Sequence, residues 1–380
     1  MSRGSRIAGV MELLRKYDRP GPRYTSYPTA VEFHDGFGAD EFRRKLAEAD
    51  AKGDEPLSLY VHVPFCPRRC TFCGCNVVAT RRADVLERYL DDVEREVALV
   101  AEHLPARRHV NQLHWGGGTP TALPPAGLRR LRDLCTRHFT LLPDAEVAVE
   151  IDPRVTSAEQ LHLLRELGCN RLSLGVQDFT PAVQAAIGRD QTLAETTATF
   201  RTCREIGFDS INVDLVYGLP RQETETFQRS LEDVLDLRPE RVAVYSFAYV
   251  PWLRGNQRRT DPETLPGPEE KFALFLQARE VFTGAGYRQI GMDHFALPED
   301  ELAVAAAAGR LHRNFMGYTV MPATDQLGFG ITAIGDVCGA FSQNTRKLSR
   351  YSRALAAGRL PVEKGYVLDA DDTLRRHVIG

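Results

Sequence analysis

Apolar, β-branched runs alternate with helix-periodic stretches from Leu57 to about residue 290. The runs 57–65, 109–115, 146–152, 171–176, 210–217 and 241–249 have the length and branching of buried strands. Between them, at 84–103, 157–167, 192–206, 224–236 and 268–284, apolar residues recur at helical spacing. Asp84, Ser157 and Thr224 stand where N-caps are expected, and Gly168 and Gly207 where helices should stop. Strand and helix units in alternation predict an α/β fold with a parallel sheet and right-handed crossovers. Six units predict a partial (β/α)6, TIM-like barrel of parallel strands.

The same pattern divides the chain. Residues 1–56 make an N-terminal arm, polar and proline-bearing from Gly21 to Thr29, with a short helix at 39–51. Residues 57–290 make the barrel and 291–380 a C-terminal extension. A further strand is expected at 287–296, an alanine-rich helix at 299–309 and a glycine-rich stretch at 328–339.

Each barrel strand ends in a polar or glycine-rich element. A cysteine run follows the first, Trp115–Pro120 the second, Glu150–Arg154 the third and Gly175–Asp178 the fourth. Asp214–Pro220 ends the fifth and Tyr245–Pro251 the sixth. Parallel strands place all six ends on one rim, where barrels collect their ligands.

The cysteine run carries the most specific chemistry. Cys66, Cys70 and Cys73 are spaced C-x3-C-x2-C, with Cys75 just beyond. Three thiolates from one loop can hold three corners of a cubane iron–sulfur cluster and leave the fourth iron open to a chelating ligand. A structural zinc knot fits less well, because only Cys70 and Cys73 form a C-x2-C pair and no second pair follows. A disulfide framework belongs to small secreted chains. The remaining cysteines, Cys135, Cys169, Cys203 and Cys338, are scattered and read as buried free thiols.

Composition excludes more than it identifies. A net charge of −3 gives no basic field, so nucleic acid is not an expected partner. No signal-peptide core opens the sequence and no apolar run approaches bilayer length, so no membrane association and a cytoplasmic location are expected.

Cys66-x3-Cys70-x2-Cys73 after one strand and Gly116-Gly117-Gly118-Thr119-Pro120 after the next resemble the radical S-adenosylmethionine (SAM) superfamily. Glycines let the backbone approach a ligand closely, and their N–H groups can meet its polar atoms. The resemblance narrows to the oxygen-independent coproporphyrinogen III oxidases through Arg23–Thr29, Phe72-Cys73-Gly74-Cys75-Asn76, Glu150–Arg154 and Gly175–Phe179. Asp214–Pro220, Ile290–Ala296 and His312–Phe315 extend it over nearly the whole chain.

That resemblance implies a [4Fe–4S] cluster on Cys66, Cys70 and Cys73, and two SAM molecules. The first would meet Tyr60, Gly117, Glu150 and Ile334; the second Phe72, Gly118, Thr119, Gln177, Arg189, Asp214 and Ala248. Cys75 and Tyr60 are implied to be catalytic, and Arg23 and Arg313 to meet the anionic substrate. The implied reaction is oxidative decarboxylation of two propionates of coproporphyrinogen III to vinyl groups, giving protoporphyrinogen IX in haem biosynthesis. A flavodoxin- or ferredoxin-like electron donor and a monomeric state are implied with it. The family also implies a C-terminal helical domain beyond the helix beginning near Asp371, and a glutamine where Met316 stands.

Taken singly, these residues have structural readings. Glu150 and Asp214 could cap helices, Tyr60 and Phe72 could be core aromatics, Arg189 a surface charge, and His294 and His312 structural histidines. Two functional alternatives share the cofactor site: a haem-binding radical SAM chaperone and a haem-degrading radical methyltransferase. Cys75 and the arm at 23–29 favour the oxidase over the chaperone.

Overall fold

The computed structural model describes residues 26–321 and 323–379. Arg23 and the start of the arm lie outside them. Helix α1 (Ala39–Asp50) precedes strand β1 (Leu57–Val63), and the cysteine loop that follows is bracketed by two short parallel segments, β2 (Phe65–Cys66) and β3 (Val78–Ala79). The alternation then runs α2 (Ala83–Glu102), β4 (His109–Gly117), α3 (Pro125–Thr136), β5 (Thr140–Ile151), α4 (Ala158–Glu166) and β6 (Arg171–Gln177). It continues through the short α5 (Pro181–Ile187), α6 (Leu193–Ile206), β7 (Ser210–Tyr217), α7 (Thr224–Leu237), β8 (Arg241–Ser246) and α8 (Pro268–Gly284).

The helix ends correct two expectations. Ser157 does cap α4, its hydroxyl accepting from the Gln160 amide at 3.2 Å. Asp84 is not a cap: Arg82 holds that position, and Asp84 sits in the first turn bound to Arg82 and Arg88. Thr224 is likewise the first helical residue, with Glu223 before it. Gly207 closes α6 at φ +84°, a left-handed conformation that suits glycine.

The expected strand at 287–296 is a hairpin of β9 (Arg288–Ile290) and β10 (His294–Ala296), turning at Gly291. Helix α9 (Glu301–Ala307) follows, then a second hairpin, β11 (His312–Asn314) and β12 (Gly317–Thr319). The glycine-rich region forms β13 (Asp325–Phe329), β14 (Ile334–Val337) and β15 (Ala340–Asn344). Helix α10 (Leu348–Ala356), β16 (Val362–Val367) and α11 (Ala370–Ile379) close the described chain.

Among the described residues the main sheet has the order β16-β15-β14-β13-β1-β4-β5-β6-β7-β8-β10-β9. The six strands expected to be parallel are so, and β13 adds a seventh by pairing parallel to β1 on its outer edge. The outer strands at both ends are antiparallel, so the curled sheet stays open. No described helix is long and apolar enough to cross a membrane.

Candidate active site

Period-two alternation gives the barrel a polar interior. On the outer face of each strand, residues such as Leu113, Val149, Leu174 and Val213 are fully buried beneath the helices. The inward-facing residues bond to each other across strands. Ser58 donates to Gln112 (2.9 Å), Gln112 donates to Glu146 (2.9 Å), and Arg171 pairs with Glu146 (2.8 Å). The next layer toward the rim holds the chemistry. Tyr60 and His114 stack with ring centroids 5.8 Å apart, and His114 Nε2 lies 3.2 Å from Glu150 Oε1. Asn212 donates to Ser173 Oγ (2.8 Å), which donates to Asp214 Oδ2 (3.0 Å).

These neighbours set the carboxyls apart. Burial pushes Glu150 up, but the hydrogen bond and charge of His114 and the Gly117 amide outweigh it and hold the carboxyl below its ordinary value. Burial and the nearby charge of Glu150 raise Asp214 to about 6, against hydrogen bonds from Ser173 and Asn212. One carboxylate is firmly ionised and the other is poised near neutrality.

The glycine run seats this layer against the cysteine loop. Gly117 has φ +117°, and a Cβ there would lie 2.6 Å from the His62 ring; one on Gly118 would lie 2.6 Å from the Phe65 carbonyl. Close approach is therefore why glycine stands here. The amides, which the sequence reading offered to a ligand, are already engaged. Gly117 N donates to Glu150 Oε2 (3.0 Å) and Gly118 N to the Val63 carbonyl (2.8 Å).

The cysteine loop is held from two sides. Asn256 Nδ2 lies within 3.1 Å of the Cys70, Thr71 and Cys73 carbonyls, and Gln257 donates to the Phe72 carbonyl at 2.8 Å. At the rim, Asp152 binds both Arg154 and Arg189, whose guanidinium groups reach to 3.6 and 4.0 Å from Cys70 Sγ. Burial pushes the Cys66 thiol up to about 12, while Cys73 is lowered to about 6 by its hydrogen bond from Cys75.

The donor set fits an iron–sulfur cluster. Cys66, Cys70 and Cys73 line one cavity of about 230 Å³, with arginine N–H groups turned toward sulfur. Hydrogen bonds to sulfur are among the protein's means of tuning such a cluster. Among the described residues no three His, Cys, Asp or Glu side chains gather as on a single metal ion. A four-iron cluster takes each thiolate on a separate iron.

The structure brings most of the expected residues together. Phe72, Gly117, Gly118, Thr119, Glu150, Gln177, Arg189 and Asp214 line the cavity of the three cysteines. Tyr60 and Ile334 line a neighbouring cavity of about 660 Å³, and Cys75 belongs to the walls of both. Arg189 is buried, so it is no surface charge. Gln177 sits at φ +74° beside a bulge in β6, which turns it at the rim. Ala248 lines neither cavity; its carbonyl accepts from Gln257 at 3.0 Å. Arg313 also lines neither: its guanidinium lies 4.3 Å over the Tyr318 ring, with Nε and Nη1 buried and unpartnered. Cys135, Cys169 and Cys203 are buried thiols, whereas Cys338 is half-buried.

The chain matches the model of the radical SAM superfamily over residues 60–234. It is 44% identical to the oxygen-independent coproporphyrinogen III oxidase of Pseudomonas aeruginosa, over 97% of this chain and 80% of that protein. The Helicobacter pylori (strain J99) protein of the same description is 41% identical, over 97% and 81%. The solved coproporphyrinogen III oxidase of Escherichia coli, described as a radical SAM enzyme, superimposes with a TM-score of 0.90 at 43% identity, covering 96% of this chain and 82% of that one. The chain belongs to the oxygen-independent coproporphyrinogen III oxidase family.

Membership brings the cofactors of radical SAM chemistry, a [4Fe–4S] cluster and SAM. Several residues of this family site carry no obvious sequence mark. His62 and His114 were readable only as polar positions on the inner face of β1 and β4, two residues from Tyr60 and from Gly116. Arg154 stood inside the Glu150–Arg154 motif without a role. Asn256 and Gln257 lie in an irregular turn whose partner loop is distant in sequence.

Proposed function

We propose that this protein removes two propionate carboxyls of coproporphyrinogen III by oxidative decarboxylation, giving protoporphyrinogen IX. The observation that carries this reading is the convergence of Cys66, Cys70, Cys73, Glu150, Gln177 and Asp214 on one cavity in a chain that matches curated oxidases over 97% of its length. Held by Cys66, Cys70 and Cys73, a cluster with SAM would supply the one-electron chemistry that removes a hydrogen atom from a propionate β-carbon, with carbon dioxide leaving and one electron passing to an external acceptor.

The chain's residues bind, orient and exclude water. Cys66, Cys70 and Cys73 hold the cluster, and Arg154 and Arg189 place positive charge beside Cys70. Glu150, fixed by His114 and the Gly117 amide, and Asp214, fixed by Ser173 and Asn212, offer carboxylates to ammonium or ribose hydroxyl groups. Tyr60 is locked by its 3.0 Å contact with His62 and by stacking on His114, so its ring forms a fixed wall. The two SAM molecules divide these residues as the family pattern has it, with Tyr60, Gly117, Glu150 and Ile334 at the first. Phe72, Gly118, Thr119, Gln177, Arg189, Asp214 and Ala248 are at the second. A flavodoxin- or ferredoxin-like donor reduces the cluster of a cytoplasmic monomer.

The test is anaerobic reconstitution and incubation of the reduced protein with SAM and coproporphyrinogen III, with products followed by mass spectrometry. Protoporphyrinogen with 5′-deoxyadenosine is expected. Cleavage of SAM without vinyl products would reject this substrate and return the chaperone and methyltransferase readings.

A further inference from the structure

The larger cavity beside the cluster cavity has one-sided chemistry. Arg254, Arg346 and Lys364 line it, and the described residues of its wall include no aspartate or glutamate, in a chain of net charge −3. Among the described residues Arg254 and Arg346 take part in no ion pair, and their guanidinium groups donate no hydrogen bond. Burial and the neighbouring charges of Arg346 and Arg69 push the Arg254 guanidinium down, against the opposing pull of Cys75 and Cys73. Lys364 is only partly engaged, donating to the Ala30 carbonyl at 3.2 Å and lying 5.6 Å over the Phe33 ring.

Apolar surface accompanies the charge. Val31 and Leu253 line the same cavity while 74% and 69% exposed, and Phe315 adds an aromatic face. Exposed apolar side chains around a concave site mark a ligand surface rather than a solvated one. The size, about 660 Å³, suits a large ligand. Gly74 and Cys75 form the wall shared with the cluster cavity, so a ligand seated here would border the radical source.

We infer that this cavity, beyond the wall of Tyr60 and Ile334 that meets the first SAM, receives the tetrapyrrole, with Arg254, Arg346 and Lys364 binding carboxylates of its non-reacting propionates and Val31, Leu253 and Phe315 packing on the macrocycle. The inference rests on the oxidase reading. It places specificity for a tetra-anion on residues from three separate segments: the loop after β8, the loop after β15 and strand β16. A guanidinium binds a carboxylate through two parallel N–H bonds, which fixes orientation as well as charge.

Two measurements on the cluster-loaded protein test it. Trp252, 66% exposed and adjacent to Leu253, reports occupancy through its fluorescence. Coproporphyrin III, a stable tetracarboxylate, should quench it, and its tetramethyl ester should bind far more weakly. The Arg254→Ala/Arg346→Ala double variant should weaken tetracarboxylate binding by about tenfold or more, with Arg254→Lys/Arg346→Lys recovering part of the loss. In turnover the alanine variant should raise KM for coproporphyrinogen III by a similar factor while kcat changes little. Iron content and circular dichroism confirm that the variant is folded. Equal affinity of wild type and double alanine variant, or an unchanged KM in an active enzyme, would overturn the cavity assignment. A wild type that binds the tetracarboxylate through these arginines yet forms no vinyl product would uphold the cavity and sink the oxidase reading instead.

Discussion

The side-chain amide of Asn256 donates to the Cys70 carbonyl at 3.1 Å, across 186 residues of sequence. The same amide reaches the Thr71 carbonyl at 2.9 Å and that of Cys73 at 3.0 Å. The cluster loop has little regular structure of its own, so a turn from the far side of the barrel satisfies its backbone.

Replacing that amide should therefore loosen the cluster. Asn256→Ala leaves three carbonyls short of a donor and should cost about 1–3 kcal/mol. Asn256→Asp keeps the shape, turns acceptors on acceptors, and should be worse. The check is the rate at which a chelator bleaches the cluster's visible absorbance, with a thermal melt of the same samples.

Arg154 should tune the cluster's potential. Its Nη2 lies 3.6 Å from Cys70 Sγ, and Asp152 holds it there at 2.6 Å. Positive charge and N–H donation toward sulfur favour the reduced cluster. Arg154→Ala should lower the midpoint potential by about 60 mV, one tenfold step in a one-electron equilibrium. Redox titration followed by electron paramagnetic resonance, without SAM, reads this directly; an unchanged or raised potential would refute the role.

Gly117→Ala should lose both stability and SAM cleavage. The position has φ +117° and a Cβ would lie 2.6 Å from the His62 ring, with backbone strand on either side. The strain alone is about 1–3 kcal/mol. Displacing His62 would also free Tyr60. Melting temperature and 5′-deoxyadenosine formation should fall together.

Asp214 should trade stability for function. Its carboxyl is raised from the ordinary 3.8 to about 6. Between those values the folded protein binds more protons than the unfolded chain, so the carboxyl's contribution to stability is full in acid and is lost as pH rises through 6. At pH well above this window, Asp214→Asn should stabilise the cluster-free protein by about 1–3 kcal/mol. In the wild type, SAM affinity should fall as pH drops below that value, and the variant should bind weakly at every pH. Melts and SAM titrations across the window check both halves.

The sequence reading of the barrel succeeded where one physical signal dominated. Leu59, Val61, Val147, Val149, Leu172 and Leu174 belong to runs whose outer faces are buried under helices, and each run is a strand. Helix α3, outside the helices expected from the sequence, has the same quality of signal in Leu128, Leu131 and Leu134. Strands β13 to β16 were hidden for a different reason. They are short and interrupted by glycines such as Gly328, which packs where a Cβ would lie 2.5 Å from the Ile334 carbonyl. Most of the pairing of β13 is with β1, far off in sequence. In the site, the cysteines and glycines announced themselves by spacing. His62 and His114 act through neighbours, and only cross-strand geometry shows that His114 fixes Glu150.

The most direct measurement uses coproporphyrinogen III carrying deuterium at the propionate β-carbons, incubated with the reduced, reconstituted protein and SAM. Protoporphyrinogen should form with deuterium transferred to 5′-deoxyadenosine, one molecule of the nucleoside for each vinyl group made. Unlabelled 5′-deoxyadenosine, or transfer of deuterium without loss of carbon dioxide, would contradict the assignment.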